Sequence, residues 1–235
     1  MKTIKVRALI LREYEAGESD KRLLLLCKKY GKIMAYARGA RKPKSKFMAA
    51  AQMFTYADFV LAKGKGFYSL TQADVIESFY PLRQDYDRLL AACYMADICK
   101  KTLWENINSD ELLKLMLRSL KHLTKGILPP TQIVNVFLFR FFDVHGFQPQ
   151  LDECTICNCS VDEISGGIYL HSEGLACKSH NIISHHVSAG ALAAMQHIQK
   201  SDLRLSFMFN TTDVILKELT QAANLMLNSH FEIKL

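Results

Sequence analysis

No stretch of this 235-residue chain reaches the roughly 18–20 consecutive apolar residues that a membrane-spanning helix needs. The most apolar run, Ile133 to Val144, is broken by Asn135 and Arg140, so no membrane is expected among the partners. The opening residues Met1-Lys2-Thr3-Ile4-Lys5 lack the apolar segment of an export signal. The expectation is a cytoplasmic chain whose seven cysteines stay reduced instead of forming disulfides. Catalytic signatures are also missing: there is no His-Glu-x-x-His, no Gly-x-Ser-x-Gly and no dinucleotide-binding glycine fingerprint. Gly64-Lys65-Gly66 is not a phosphate loop, because that motif places a further glycine upstream of Gly-Lys-Ser/Thr and here a glycine follows the lysine. No catalytic residue is assigned, and the chain is not expected to be an enzyme. Internal repeats and low-complexity linkers are absent too, while 49% hydrophobic residues suffice for a sizeable core.

Against these absences stand two short chelating pairs, Cys154-x-x-Cys157 and Cys177-x-x-His180, with nineteen residues between them. Two ligands three positions apart turn inward together on a tight knuckle, and a second knuckle completes four soft or borderline donors around one tetrahedral zinc ion. A closed sphere has no position for a reacting water, so the expected Zn2+ is structural, whereas a hydrolase would need an open one. Cys159 is close enough in sequence to replace a neighbour, and His171, His185 and His186 compete with His180 at poorer spacing. Cys27, Cys93 and Cys99 read as core thiols.

Charge is unevenly distributed. Residues 1–80 carry 16 Lys and Arg against 7 Asp and Glu, while residues 81–235 carry 14 against 16. A basic third of this kind is the footprint of a phosphate-rich partner. Its periodicity predicts five short strands: Thr3 to Leu11, Arg22 to Lys28, Ile33 to Arg38, Phe54 to Ala62, and one beginning at Phe67 to Leu70. That strand count favours a barrel of the oligonucleotide-binding (OB) type. In the third strand Ile33, Ala35 and Ala37 share one side, and Met34, Tyr36 and Arg38 share the other. Tyr36 and Arg38 together can stack a base and neutralise a phosphate, unless Tyr36 caps the barrel. Arg41, Lys42, Lys44 and Lys46 follow with no acidic residue among them, and Lys63 and Lys65 in a later hairpin are weaker candidates for the same DNA-binding surface.

After Pro81 the periodicity becomes helical. Helices are predicted over Asp85 to Trp104, from a Ser109 cap through His122, over Thr131 to His145, over Ser188 to Gln199 and over Thr212 to Asn228. The third is apolar around its whole circumference and so should lie at the centre of the others. Asp85 and Asp87 are read as helix-terminal charges. The fold class is therefore α+β: an OB-type barrel over 1–80, then a helical domain over 81–235 with a zinc-binding insertion over 150–182.

Several segments resemble the RecO family of bacterial recombination mediators. They are Ala37-Arg38-Gly39-Ala40-Arg41-Lys42 with Ser45, Leu70-Thr71-Gln72-Ala73-Asp74, Gly146-Phe147-Gln148-Pro149, Gly174-Leu175-Ala176-Cys177 and Ser188-Ala189-Gly190-Ala191. Many members of that family have a cysteine where this chain has His180. The resemblance covers almost the whole chain and implies binding of single- and double-stranded DNA and annealing of complementary strands near the nucleoid. It also implies loading of RecA, with RecR, onto DNA coated by single-stranded DNA-binding protein, whose C-terminal tail docks on the helical domain. An RNA-binding protein or a non-catalytic adaptor is the alternative, since the same barrel and loop serve RNA.

Overall fold

The computed structural model of the protein describes residues 2–164, 166–180 and 184–231, so the expected insertion boundary at 182 lies outside the described residues. The residues fall into two compact units, Met1–Lys125 and Gly126–Leu235.

In the first unit β1 (Thr3–Ala16), β2 (Asp20–Cys27), β3 (Gly31–Ala37), β4 (Tyr56–Lys63) and β5 (Tyr68–Glu77) close into a barrel in the order β1-β2-β3-β5-β4. Closure is made by a parallel pairing of β3 with β5, through Ala35 opposite Tyr68 and Tyr36 opposite Ser69. Alternation decides what faces inward. Val6, Ala8 and Ile10, Leu23, Leu25 and Cys27, and Phe59 and Leu61 fill the interior with Ile33, Ala35 and Ala37. The expected split of β3 therefore holds, and Tyr36 lies outside the barrel, not within it.

β1 runs five residues past its predicted end at Leu11. A bulge between Ile10 and Arg12 bends it, and beyond that bend Glu13, Tyr14 and Glu15 pair with Leu23, Arg22 and Lys21 of β2. Lys21 reaches Glu13 at 2.8 Å, so cross-strand charge supports a ribbon that an apolar pattern cannot announce.

The connection between β3 and β4 forms successive turns whose inward residues, Ala40, Phe47 and Ala51, belong to the barrel core. Its start is pinned to the β1–β2 turn: the Gly39 amide donates to Asp20 Oδ1 at 2.7 Å and the Arg41 amide to the Ser19 carbonyl at 2.9 Å.

Two helices share this unit. α1 (Tyr86–Thr102) is capped by Asp85, which accepts from the Arg88 amide at 3.1 Å as its sequence position predicts. Arg12 of β1 holds Asp97 of α1 through a paired contact whose Nε arm is 3.0 Å. α2 (Asp110–Lys125) begins where Asp110 meets Lys28 at 3.1 Å. Between the two helices, Glu105 bridges to Gly31, and Gly31 has a left-handed φ of 60°. A Cβ on Gly31 would lie 2.2 Å from the Trp104 carbonyl oxygen, so only glycine permits this approach.

In the second unit α3 (Pro130–Val144) buries Ile133, Val136, Phe137, Leu138, Phe139, Phe141 and Phe142, as an all-round apolar helix should. α4 (Ala189–Lys200), with its Ser188 cap, and α5 (Asp213–Phe231) pack on it. The polar interruptions of α3 each have a partner: Gln132 donates to the Phe209 carbonyl and Asn135 to that of Leu216, both at 3.1 Å. Arg140 donates to the Gln199 and Ser201 carbonyls. A small sheet is inserted before α4. Its strands β6 (Gln150–Cys154), β7 (Ile168–Leu170), β8 (Gly174–Cys177) and β9 (His185–Val187) lie in the order β6-β8-β7-β9.

Candidate nucleic-acid face and metal centre

On the outside of the barrel the charges divide by location. Where β1 meets β4, Arg7 grips Asp58 with two bonds of 2.7 and 2.8 Å, and the pairing lowers the Asp58 carboxyl pKa. Around β3 and the following turns this neutralisation is thinner. Among the described residues Arg38, Lys42, Lys44, Lys63 and Lys65 form no ion pair, and all five are exposed. Arg41 reaches Glu15 at 3.0 Å, and Lys46 donates to the Thr71 carbonyl at 3.1 Å while its Nζ stands 4.8 Å from the centre of the Phe47 ring. The inward half of the loop is core and its outward half is cationic, so the loop carries charge on an anchored backbone. Ordering such a loop on binding costs less than ordering a floppy one.

Tyr36 projects from the same side of β3, half-buried, and its ring meets Phe67 edge to face at 5.7 Å. Phe67 belongs to the hairpin of Lys63 and Lys65, so the parallel closure of β3 on β5 brings the two sequence-distant groups of candidates beside one another. Phe67 is a surface aromatic, 40% exposed, that the strand pattern alone does not single out. The only signal for it is its place directly after Gly64-Lys65-Gly66, where a strand has not yet begun to alternate.

The metal centre is built by two knuckles in the second unit. Cys154 ends β6; the Asn158 amide returns to its carbonyl at 2.9 Å, and a left-handed φ of 58° at Asn158 turns the chain back so that the Cys154 amide donates to the Cys159 carbonyl at 2.9 Å. Cys177 ends β8, and the His180 amide donates to its carbonyl at 3.1 Å. The Sγ atoms of Cys154, Cys157, Cys159 and Cys177 all lie within 4.8 Å of one another, a group that can hold a metal ion. Cys157 and Cys177 are 3.7 Å apart, close to the edge of about 3.8 Å that a tetrahedron of thiolates around zinc would have. Cys159 is nearer, at 3.4 Å from Cys157 and 3.2 Å from Cys177.

His180 stands beside this group. Its Nε2 is buried without a hydrogen-bond partner, and proximity to Cys157, against the opposing effect of burial, raises the imidazole pKa. The Cys157 thiol is held down to about 6 by the Cys159 amide and then by His180. A thiol that ionises readily and an orphaned buried nitrogen both fit a metal ligand set. The three expected cysteines are thus joined by Cys159 in the group, and His180, the expected fourth ligand, lies beside it without belonging to it. The other candidate histidines are engaged elsewhere: His171 Nε2 lies 2.6 Å from the Thr155 hydroxyl, and His185 and His186 are exposed on β9, with His186 edge-on to Tyr169. Cys27 and Cys99 are buried core thiols, and burial pushes Cys27 up to about 12.

Among the described residues no helix is long and apolar enough to cross a membrane. The family model described as recombination protein O N terminal matches residues 1–79, and recombination protein O C terminal matches residues 83–235. A DNA repair protein RecO of Acetivibrio thermocellus is 34% identical over 99% of this chain and 93% of its own length. That of Thermoanaerobacter sp. is 27% identical over 100% of this chain and 95% of its own. The one of Exiguobacterium sibiricum is 36% identical over 75% and 70% respectively. With the N-terminal model matched on the barrel and the C-terminal model on the helices and small sheet that follow it, the chain belongs to the recombination protein O family of DNA repair proteins.

Proposed function

We propose that the protein is a non-catalytic recombination mediator that binds single- and double-stranded DNA through the outer face of β3, the β3–β4 turns and the β4–β5 hairpin. The observation that carries this reading is the anchored run Arg38, Arg41, Lys42, Lys44 and Lys46, exposed on the turns that leave β3, the strand whose outer side carries Tyr36 against Phe67. Cations without base-directed hydrogen bonds bind backbone irrespective of sequence, and exposed rings stack bases of any identity. Two complementary strands on one neutralised surface repel each other less, so annealing needs charge screening and exposed bases, not bond chemistry. The reading extends to the partners expected in the cytoplasm, at the nucleoid: RecR, the C-terminal tail of single-stranded DNA-binding protein, and RecA indirectly. Membership of a DNA repair family supports that extension.

In the same proposal one Zn2+ is held by Cys154, Cys157 and Cys177 with His180, and Cys159 stands close enough to take the fourth place. The ion supplies a crosslink between the β6 and β8 knuckles and takes no part in DNA chemistry. The test of the DNA face is a binding isotherm for a labelled single strand across a salt series. Wild-type affinity should fall with salt, and Lys42→Ala with Lys44→Ala should flatten the slope by about 1.4, at about 0.7 per phosphate contact. An unchanged affinity and slope in the double variant would remove these turns from the interface.

A further inference from the structure

Beside the Tyr36–Phe67 pair the first unit holds a groove of about 300 Å³ between the β4–β5 hairpin and the loop joining α1 to α2. Its lining includes the aromatic residues Tyr30, Phe67 and Tyr68 together with Lys32 and Lys63. Glu105 and Asn106 form the wall contributed by the α1–α2 loop, outside the barrel. This wall is fixed: the Asn106 amide donates to the Tyr30 carbonyl at 2.9 Å, the Lys32 amide to that of Trp104 at 3.0 Å, and Glu105 bridges to Gly31. Phe67 is fixed as well. Its ring lies where a Cβ on Gly64 would come within 3.1 Å, its carbonyl accepts from the Gly64 amide at 2.8 Å, and it remains 40% exposed.

Glu105 is the unexpected member. A carboxylate in a phosphate-binding region opposes the strand, and among the described residues Glu105 makes no ion pair with either lysine of the groove. A carboxylate can only accept hydrogen bonds; unpaired cytosine, adenine and guanine each offer it an amino group, whereas the one N–H of thymine is flanked on both sides by carbonyl oxygens that repel it.

Resting on the DNA-binding reading above, we propose that this groove is a nucleobase subsite. It takes one unstacked base of a single strand against Phe67 and, through Glu105, favours a base bearing an amino group over thymine. Paired bases of a duplex cannot enter, so the preference belongs to single strands alone. It superimposes a mild composition bias on binding that is otherwise indifferent to sequence.

The experiment measures affinities of the full-length protein for labelled dC and dT homopolymers of equal length, and for a duplex, across a salt series. The wild type should bind dC about fivefold or more tightly than dT, since a hydrogen bond to a charged group is the stronger kind. Glu105→Gln should bring that ratio to about one, because an amide donates as well as accepts. Phe67→Leu, which still covers Gly64, should weaken both single strands by about fivefold or more through lost stacking, and by more than it weakens the duplex, with the salt slope unchanged. Equal dC and dT affinities in the wild type, or a ratio that survives Glu105→Gln, would overturn the subsite while salt-sensitive binding left the cationic face standing. Absence of binding to every strand would overturn both.

Discussion

In the proposed site Cys154, Cys157 and Cys177 are the constant ligands, while Cys159, within 3.4 Å of Cys157, and His180, also beside Cys157, are the two candidates for the fourth place. Cys154→Ser is therefore expected to abolish stoichiometric zinc, measured by elemental analysis, and to lower Tm by about 5 °C or more, where each kcal/mol corresponds to about 2–4 °C in a chain of this size. Cys159→Ser and His180→Ala should each retain the metal, because the other donor fills the fourth place, and the combined variant should lose it. Loss on either single substitution would identify that residue as the sole fourth ligand. The convergence of Cys154, Cys157 and Cys177 was legible in the sequence because knuckle spacing is short and local, and Cys159 was visible as a possible replacement ligand. That it joins the group was not, since this depends on the left-handed turn at Asn158, a conformation that asparagine tolerates without requiring.

At the scale of elements, alternation carried the reading of β3, and all-round apolarity carried that of α3, because each pattern reports burial directly. The extension of β1 past its bulge stayed hidden because charged pairs, and not a core face, support it. Hidden for another reason was the loop joining α1 to α2, which is pressed on the turn between β2 and β3 by contacts between residues some seventy positions apart. That contact makes a sharp prediction. Gly31→Ala adds a Cβ at 2.2 Å and 2.8 Å from two carbonyl oxygens in a left-handed backbone, and should cost about 3 kcal/mol or more. Gly17→Ala, with φ of 61° but nothing within 4 Å, should cost only the backbone preference of about 1–2 kcal/mol. Urea denaturation of both variants gives the comparison, and equal losses would show that the α1–α2 loop does not constrain the turn.

For the whole molecule, the charge imbalance between the first 80 residues and the rest was visible in composition, and the barrel explains where that charge goes. Ion pairs absorb it at β1–β4 and at the β1–β2 ribbon, and leave it exposed on the turns after β3. Sequence could place Tyr36 and Phe67 only in separate segments, because their contact depends on the closure of β3 with β5. Arg41→Ala should weaken DNA binding less than Lys42→Ala, since Arg41 is already partly neutralised by Glu15, and parallel isotherms at one salt concentration would show the difference.

In the proposed function this surface brings complementary strands together by neutralising them. Its most direct test is the annealing of two labelled complementary oligonucleotides coated with single-stranded DNA-binding protein, followed with and without this protein across a salt titration. Acceleration that declines as salt rises, and is lost in the Lys42→Ala, Lys44→Ala double variant, is the predicted result. Folded, zinc-loaded protein that leaves the annealing rate unchanged at every salt concentration would contradict the account.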